Sequence, residues 1–528
     1  MGVNDEPVYL RSNAIVEPLV DSFYAWTHIV APVQASMNLA NLQVPLLESY
    51  LQNPQVHTAA DVDRARRGGY FVTIDETRST EVAALLDGIK RDRADMLGLA
   101  AAVAEAEAML QRATDFDLTL LYPRLPSALH GLVELAYDTG NQPSIHFIES
   151  LAYTSRYYDE SRQSVQLSLD DGIERPFILS TPRLPRPRVL DLAIPFRHAG
   201  LNELFAARLR PTTTSRLREA LGLDDTQAAH LRTLLTTEPG TAPDRHIESG
   251  GRVRYFGHAC LVFQTPQGAV VTDPFISTDN RHGDRYTLDD LPDHIDLVAI
   301  TQGHQDHIVM ETLLQLRSRI GAVVVPRSSR GNLCDPSIGL YLKALGFPVI
   351  EVDDFDEVPF PGGEVVATPF LDGHSDLDIR AKSTYLVRLA GATFFVGADS
   401  SGIDPVLYRY MRHHLGDVDL AFLGMGSDGA LSAWLHQGLL TRPATKRMSG
   451  SRRPQSANAQ QAAAIMRELG ADEAYVYAMG QESWQGHVVA PAYHQDADQM
   501  KQIDEFLGWC RERGITAEHL FNKREWRW

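Results

Sequence analysis

Thr301-Gln302-Gly303-His304-Gln305-Asp306-His307 (residues 301–307) follows directly on an apolar run, Leu297-Val298-Ala299-Ile300. It precedes a stretch from about residue 310 to 320 whose apolar residues recur at helical spacing. Read as strand, loop and helix, the segment delivers two imidazoles and a carboxylate from the end of a buried strand into one loop. Neutral imidazole nitrogen and carboxylate oxygen suit zinc, iron or manganese. With the spacing His-x-Asp-His, the side chains of His304, Asp306 and His307 can fan around two adjacent metals rather than one. The same residues also suit a polar helix cap, with Asp306 accepting backbone N–H groups and the histidines solvated. The motif in isolation does not separate the two readings.

What separates them is the order of polar residues outward from this loop. Asp273 ends Val271-Thr272-Asp273, His374 lies in Leu371-Asp372-Gly373-His374 just past the apolar run 365–370, and Asp399 follows Phe394-Phe395-Val396-Gly397-Ala398. Each falls at the exit of a strand, so a layered sheet would gather them at one edge. Further apolar, β-rich runs lie at 322–325, 349–352, 384–389, 392–397, 418–423 and 474–477. Residues 253–265 and 268–272 read as a hairpin around Pro266-Gln267-Gly268. Many strands, several in hairpins, with helices interspersed predict sheets covered by helices rather than one parallel sheet.

At 528 residues the chain exceeds one compact core. Its clearest seam is 236–251, TTEPGTAPDRHIESGG, rich in Gly, Pro and charge. Residues 1–240 are expected to form a mostly helical N-terminal domain, with helical periodicity plainest over 79–114 and short strand-like stretches at 164–169 and 177–180. Residues 250–528 are expected to carry the chemistry. Lys and Arg number 49 against 68 Asp and Glu, a net charge of −19, which disfavours nucleic acid as a partner. Cys260, Cys334 and Cys510 are too far apart for a zinc ribbon and read as free thiols in a reducing compartment. The first residues lack a basic and an apolar signal region, and no apolar run approaches the roughly 18 residues of a membrane span. A cytoplasmic protein without a membrane partner is expected.

The order Asp273, 302–307, His374, Asp399 resembles the five motifs of the metallo-β-lactamase superfamily. That resemblance implies an αββα sandwich with a one- or two-metal site along one edge. It implies Asp273 as a supporting carboxylate, His304, Asp306, His307, His374 and Asp399 as metal ligands, and Asp399 as the bridge between ions. For the late histidine the candidate is His487 in Trp484-Gln485-Gly486-His487. A closer resemblance rests on Val16-Glu17-Pro18-Leu19-Val20, Ala25-Trp26-Thr27-His28, Leu47-Glu48-Ser49-Tyr50-Leu51, Glu311-Thr312-Leu313-Leu314-Gln315-Leu316-Arg317 and Tyr477-Ala478-Met479-Gly480-Gln481-Glu482. These are similar to the branch containing the non-haem diiron β-hydroxylase of chloramphenicol biosynthesis. That branch implies iron, one or two ions, and an oxygenase using dioxygen and an electron donor. It also implies an amino acid tethered to an acyl or peptidyl carrier protein as substrate, and an N-terminal domain that covers the cluster and helps form a homodimer.

Three positions depart from that pattern. Gln302 stands where the motif has its first histidine, and Gly373 and Gly426 stand where the oxygenase branch has glutamates. Asp372 and His374 could compensate. Carboxylates of this kind distinguish an oxygen-activating iron site from a zinc hydrolase, so a zinc-dependent hydrolase or lyase, or a non-catalytic relative, remains the alternative. Gly424-Met425-Gly426-Ser427-Asp428-Gly429 has dinucleotide-loop spacing but lacks the surrounding βαβ unit. Ala398-Asp399-Ser400-Ser401-Gly402 only approaches a nucleophile elbow. Lys446, Arg447, Arg452 and Arg453 form the main basic cluster, suited to an acidic carrier protein or simply to solvent. His413-His414 and the histidines at 28, 57, 130 and 146 lack partners at ligand spacing and read as structural or surface residues.

Overall fold

The computed structural model describes residues 6–62, 69–113, 117–172, 174–240, 244–278, 283–371, 373–425, 435–452, 456–489 and 497–528. Two seven-stranded sheets organise the second half. In the first, the spatial order is Val349–Val352, Ile320–Pro326, Ile295–Ala299, Ala269–Thr272, Leu261–Gln264, Arg252–Tyr255 and Arg524–Arg527. In the second it is Glu357–Phe360, Gly363–Thr368, Thr384–Leu389, Ala392–Val396, Leu420–Gly424, Glu473–Tyr477 and Thr516–His519.

The two-residue period of a strand explains why both faces of these sheets are apolar. Val270, Leu297 and Phe394 point into the layer between the sheets, with Val253, Phe263, Val365, Val387 and Phe422. Their neighbours Val271 and Val298 point outward against Leu313, Leu314 and Leu342. Phe395 points outward against the helices that carry Tyr408, Ile465 and Phe506. The result is the expected αββα sandwich.

Two sequence expectations change here. Residues 253–265 are not one strand, because the chain turns back at Phe256–Cys260. Arg252–Tyr255 then pairs antiparallel with Leu261–Gln264, Tyr255 opposite Leu261. The turn is closed by Phe256 N–H to the Cys260 carbonyl (2.9 Å) and Cys260 N–H to the Gly257 carbonyl (3.0 Å). Gly257, at φ 98°, adopts a backbone that a side chain would resist. The stretch 177–180 likewise forms a turn, its Ile178 N–H donating to the His487 carbonyl instead of to a strand neighbour.

The first half combines helices, among them Ser79–Asp92 and Ala94–Gln111, with a four-stranded antiparallel sheet. That sheet is ordered Phe23–Tyr24, Ala14–Val20, Gln163–Leu169, Leu190–Leu192. Its helical core is shared with the second half, since Phe275, Val309, Leu435 and Val488 pack among Trp26, Val33, Leu99 and Val103. Val309 lies two residues beyond His307, so the first half grips the loop of interest directly.

A buried ion network strengthens that grip. Arg175 bridges Glu17 (3.0 Å) and Glu311 (2.6 Å), and Arg183 also meets Glu17 (2.9 Å). Glu311 lies on Met310–Leu316, the helix that follows the loop. Burial alone would raise its carboxyl pKa, but Arg175 and His487 outweigh it and lower it to about 2. Its contribution to stability is therefore complete above the ordinary glutamate pKa and is lost as pH falls from there towards 2. Arg175→Met should cost about 3–5 kcal/mol, because buried Glu311 loses its guanidinium partner and Glu17 keeps Arg183 but loses Arg175. Its destabilisation relative to wild type should shrink on acidification, as read by chemical denaturation at pH 7 and pH 4. A constant difference at the two pH values would contradict the network.

Among the described residues no helix is long and apolar enough to cross a membrane.

Candidate metal centre

Four strand exits converge at one edge of the sandwich, each through a non-glycine residue with a left-handed backbone. These are His258 (φ 50°), Asp273 (φ 35°), Ala398 (φ 44°) and Ala478 (φ 57°). Such conformations cost on the order of 1–3 kcal/mol each and cluster where surrounding contacts over-determine them. Those contacts are present. Asp273 N–H donates to the Ala299 carbonyl (3.0 Å) and Ala478 N–H to the His258 carbonyl (2.9 Å). Ala398 N–H donates to the Tyr477 hydroxyl (3.0 Å).

At this edge the ligand atoms of His258, Asp306 and His307 lie within 4.8 Å of one another, the one such group among the described residues. His258 Nε2 is 3.3 Å from Asp306 Oδ2. His307 Nε2 is 3.3 Å from Asp399 Oδ2, which adds a fourth donor residue. Behind them, Asp273 is fully buried and accepts from Thr301 N–H (2.7 Å), Thr301 Oγ1 (2.6 Å) and His307 Nδ1 (2.8 Å). A carboxylate holding Nδ1–H turns Nε2 outward as a lone-pair donor, the usual support of a metal-bound imidazole.

The electrostatics agree with a site built for a cation. Burial disfavours charge on His307, but the carboxylates of Asp273, Asp306 and Asp399 outweigh it and raise its pKa well above the ordinary imidazole value. Burial would raise the Asp306 and Asp399 carboxyls, yet the imidazoles, His307 foremost, hold both below the ordinary range. The His307 imidazole thus faces three converging carboxylates, whose negative charge a bound metal ion would offset.

The remaining expected residues divide. Gln302 is buried and its Nε2 donates to Asp399 Oδ2 (2.6 Å), while its Oε1 has no partner among the described residues. The amide therefore positions Asp399. His304 and His374 stand together, ring centroids 4.4 Å apart. Asp372, Gly426 and Arg453 lie outside the described residues. His487 is not brought to the group: it sits 3.4 Å from Glu311 on the far side of Phe275, whose ring lies 5.8 Å from His258 and 6.1 Å from His487. His258, which the sequence reading passed over, occupies the place where a late histidine was sought. Its signal was the same strand-exit position as the others, hidden because 253–265 read as one strand. Glu482 holds its loop, accepting from the Tyr255 hydroxyl (2.6 Å) and His258 N–H (3.3 Å).

Comparison with known proteins fits this geometry. Residues 9–239 match the model of the diiron non-heme β-hydroxylase N-terminal domain, and residues 269–477 match the β-lactamase superfamily domain. The chain is 36% identical over 525 residues, 98% of each chain, to the 4-amino-L-phenylalanyl-[CmlP-peptidyl-carrier-protein] 3-hydroxylase of Streptomyces venezuelae. The chain belongs to the diiron non-heme β-hydroxylase family. The crystal structure of CmlA, a diiron β-hydroxylase from the same organism, superposes with a TM-score of 0.92 at 35% identity, covering 99% of this chain and 100% of that one. A metal-dependent hydrolase of Anoxybacillus flavithermus is 26% identical over 198 residues, 35% of this chain and 81% of its own.

The family implies iron, and the donor set of this hydroxylase-family chain can be tested against it. Two imidazoles and two carboxylates at His258, Asp306, His307 and Asp399 suit one first-row ion. The adjoining position is different. Gln302 offers a hydrogen-bond donor where an imidazole lone pair is wanted, and a side chain added at Gly373 would first meet the Phe370 ring at 3.1 Å and the Gln302 amide oxygen at 3.7 Å.

Proposed function

We propose that this protein is an iron-dependent hydroxylase, acting in the cytoplasm and as a homodimer, on an amino acid or similar acyl group tethered to a carrier protein in secondary metabolism. The His258–Asp306–His307 group at the sheet edge, within a chain that matches the β-hydroxylase family end to end, carries this reading. His258, Asp306, His307 and Asp399 would hold an iron ion, with His304 and His374 beside the adjoining position. Iron in that place would supply the redox chemistry that couples dioxygen and external electrons to attack on a C–H bond. Asp273 and Thr301 fix the His307 ring and keep Nε2 facing the ion. Gln302 fixes Asp399. Phe275 and Trp484, packed edge to face at 5.0 Å, keep water from the side of His258. The exposed residues Lys446, Arg447 and Arg452 lie beyond the strand that ends at Gly424 and suit the acidic surface of a carrier protein.

The test is to purify the protein without chelator and measure its metals. It is then reduced and exposed to oxygen with aminoacyl-loaded carrier proteins. Bound iron and a gain of one oxygen atom on the tethered amino acid are expected by mass spectrometry. Zinc as the bound metal, with release of the acyl group instead of oxygen insertion, would establish hydrolysis.

A further inference from the structure

Next to the proposed iron site, four buried histidines meet across the two halves of the chain. His28, His304, His374 and His436 are 4%, 8%, 2% and 2% exposed. Their rings form a chain, with centroids 5.6 Å apart for His28–His436, 6.2 Å for His436–His304 and 4.4 Å for His304–His374. They line a cavity of about 20 Å³ together with Thr27 and Gly303, and its opposite wall is made by the segment Cys334 to Ile338 with Ile379 and Ala381. That is room for a single water or ion, since one such occupant needs roughly 10–15 Å³.

Several polar atoms of this cavity are left unanswered by the described residues. His28 Nδ1, both nitrogens of His436, His304 Nε2 and the Thr27 hydroxyl have no hydrogen-bond partner among the described residues. Buried polar atoms almost always find one, and several orphans around one small cavity ask for a shared occupant. The His28 ring is also hydrogen-bonded by the Leu435 backbone. An N–H donated to a carbonyl on one side leaves a lone pair on Nδ1, as in most metal-bound imidazoles. An imidazole nitrogen ~2.0–2.1 Å from a zinc-like ion places ring centroids of a tetrahedral set ~5.2 Å apart. The three neighbouring spacings bracket that value.

We propose that His28, His304, His374 and His436 form a second metal-ion site, for a first-row divalent cation bound by imidazole nitrogen. The site is displaced outward from the position that Gln302 leaves without a ligand. Because His28 comes from the first half and the other three from the second, the ion also clamps the two halves together. The inference extends the proposed metal-dependent reading to a second ion and needs neither iron nor hydroxylase activity to hold.

Full-length protein stripped with chelator and desalted should be titrated with Co²⁺ alone. The readouts are elemental analysis and visible d–d absorption. Two equivalents are expected in wild type. His28→Ala with His436→Ala should keep one, and Asp306→Ala with His307→Ala should keep the other, with intense tetrahedral bands. His436→Ala by itself should regain its lost equivalent when free imidazole is added, which a packing role would not produce. His28→Asn serves as the milder variant should the double alanine lose its cooperative unfolding. Two equivalents in the His28/His436 variants would overturn the inference. So would a single wild-type equivalent that disappears with Asp306 and His307, the cavity then holding water only. A single equivalent lost with His28 and His436 but kept without Asp306 and His307 would support it and overturn the iron-site assignment. No binding at all would overturn both.

Discussion

Asp306→Ala combined with His307→Ala should remove one metal equivalent completely while the chain still unfolds in one cooperative step. The two side chains supply two of the three donors that already lie within 4.8 Å of one another, and His258 and Asp399 alone cannot hold an ion at the same point. The fold survives because the layer between the sheets and the two outer layers contain neither residue. The cost falls on Asp273, fully buried and deprived of its 2.8 Å partner. Leaving a buried carboxylate unpaired costs about 3–5 kcal/mol. Asp273→Asn alone should keep the ion but weaken it ~10–100-fold, the range found when the support of a ligating imidazole is removed. Elemental analysis and denaturant titration read the two effects separately. Equal metal content in wild type and the double variant would remove the site assignment.

Gln302→His should tighten metal binding at the adjoining position. The amide of Gln302 now donates to Asp399 at 2.6 Å and leaves its own oxygen buried and unpaired. An imidazole of similar reach would return a lone pair beside His304 and release the Asp399 oxygen it occupies. The gain in affinity for Co²⁺ should be on the order of tenfold or more, comparable at least with the loss seen when a supporting residue is removed. A reading of residues 301–307 as a polar helix cap predicts no gain. Unchanged or weaker binding in the variant would show that residue 302 does not face a metal position.

Much of the architecture was legible because it is local. Apolar neighbours such as Val270-Val271, Leu297-Val298 and Phe394-Phe395 announce strands buried on both faces, since successive side chains point to opposite faces. Which face meets the other sheet was decided by packing. The exits of those strands place Asp273, Asp306, His307 and Asp399 at one edge without any knowledge of their neighbours. His258 escaped notice for an equally local reason. The run 253–265 is mostly apolar on both sides of Gly257-His258, and a tight turn inside such a run has no change of hydrophobic period to announce it.

The sequence by itself determined sheets covered by helices and the edge at which Asp306, His307 and the other polar residues gather, because spacing along strand-loop-helix units sets these within a dozen residues. The αββα arrangement came from the resemblance carried by the motif order. Only the tertiary structure decided which histidines join them. His487 has the expected place in the motif order, yet it is taken up by Glu311, 3.4 Å away and itself held by Arg175. His258 fills the position instead, held by Glu482 from 224 residues further along the chain. His28 read as an ordinary histidine of the first half until packing of the two halves set it beside His436 and His304. Contacts between residues hundreds of positions apart leave no periodicity in the sequence, since they arise from how finished faces pack and not from the spacing that builds each face.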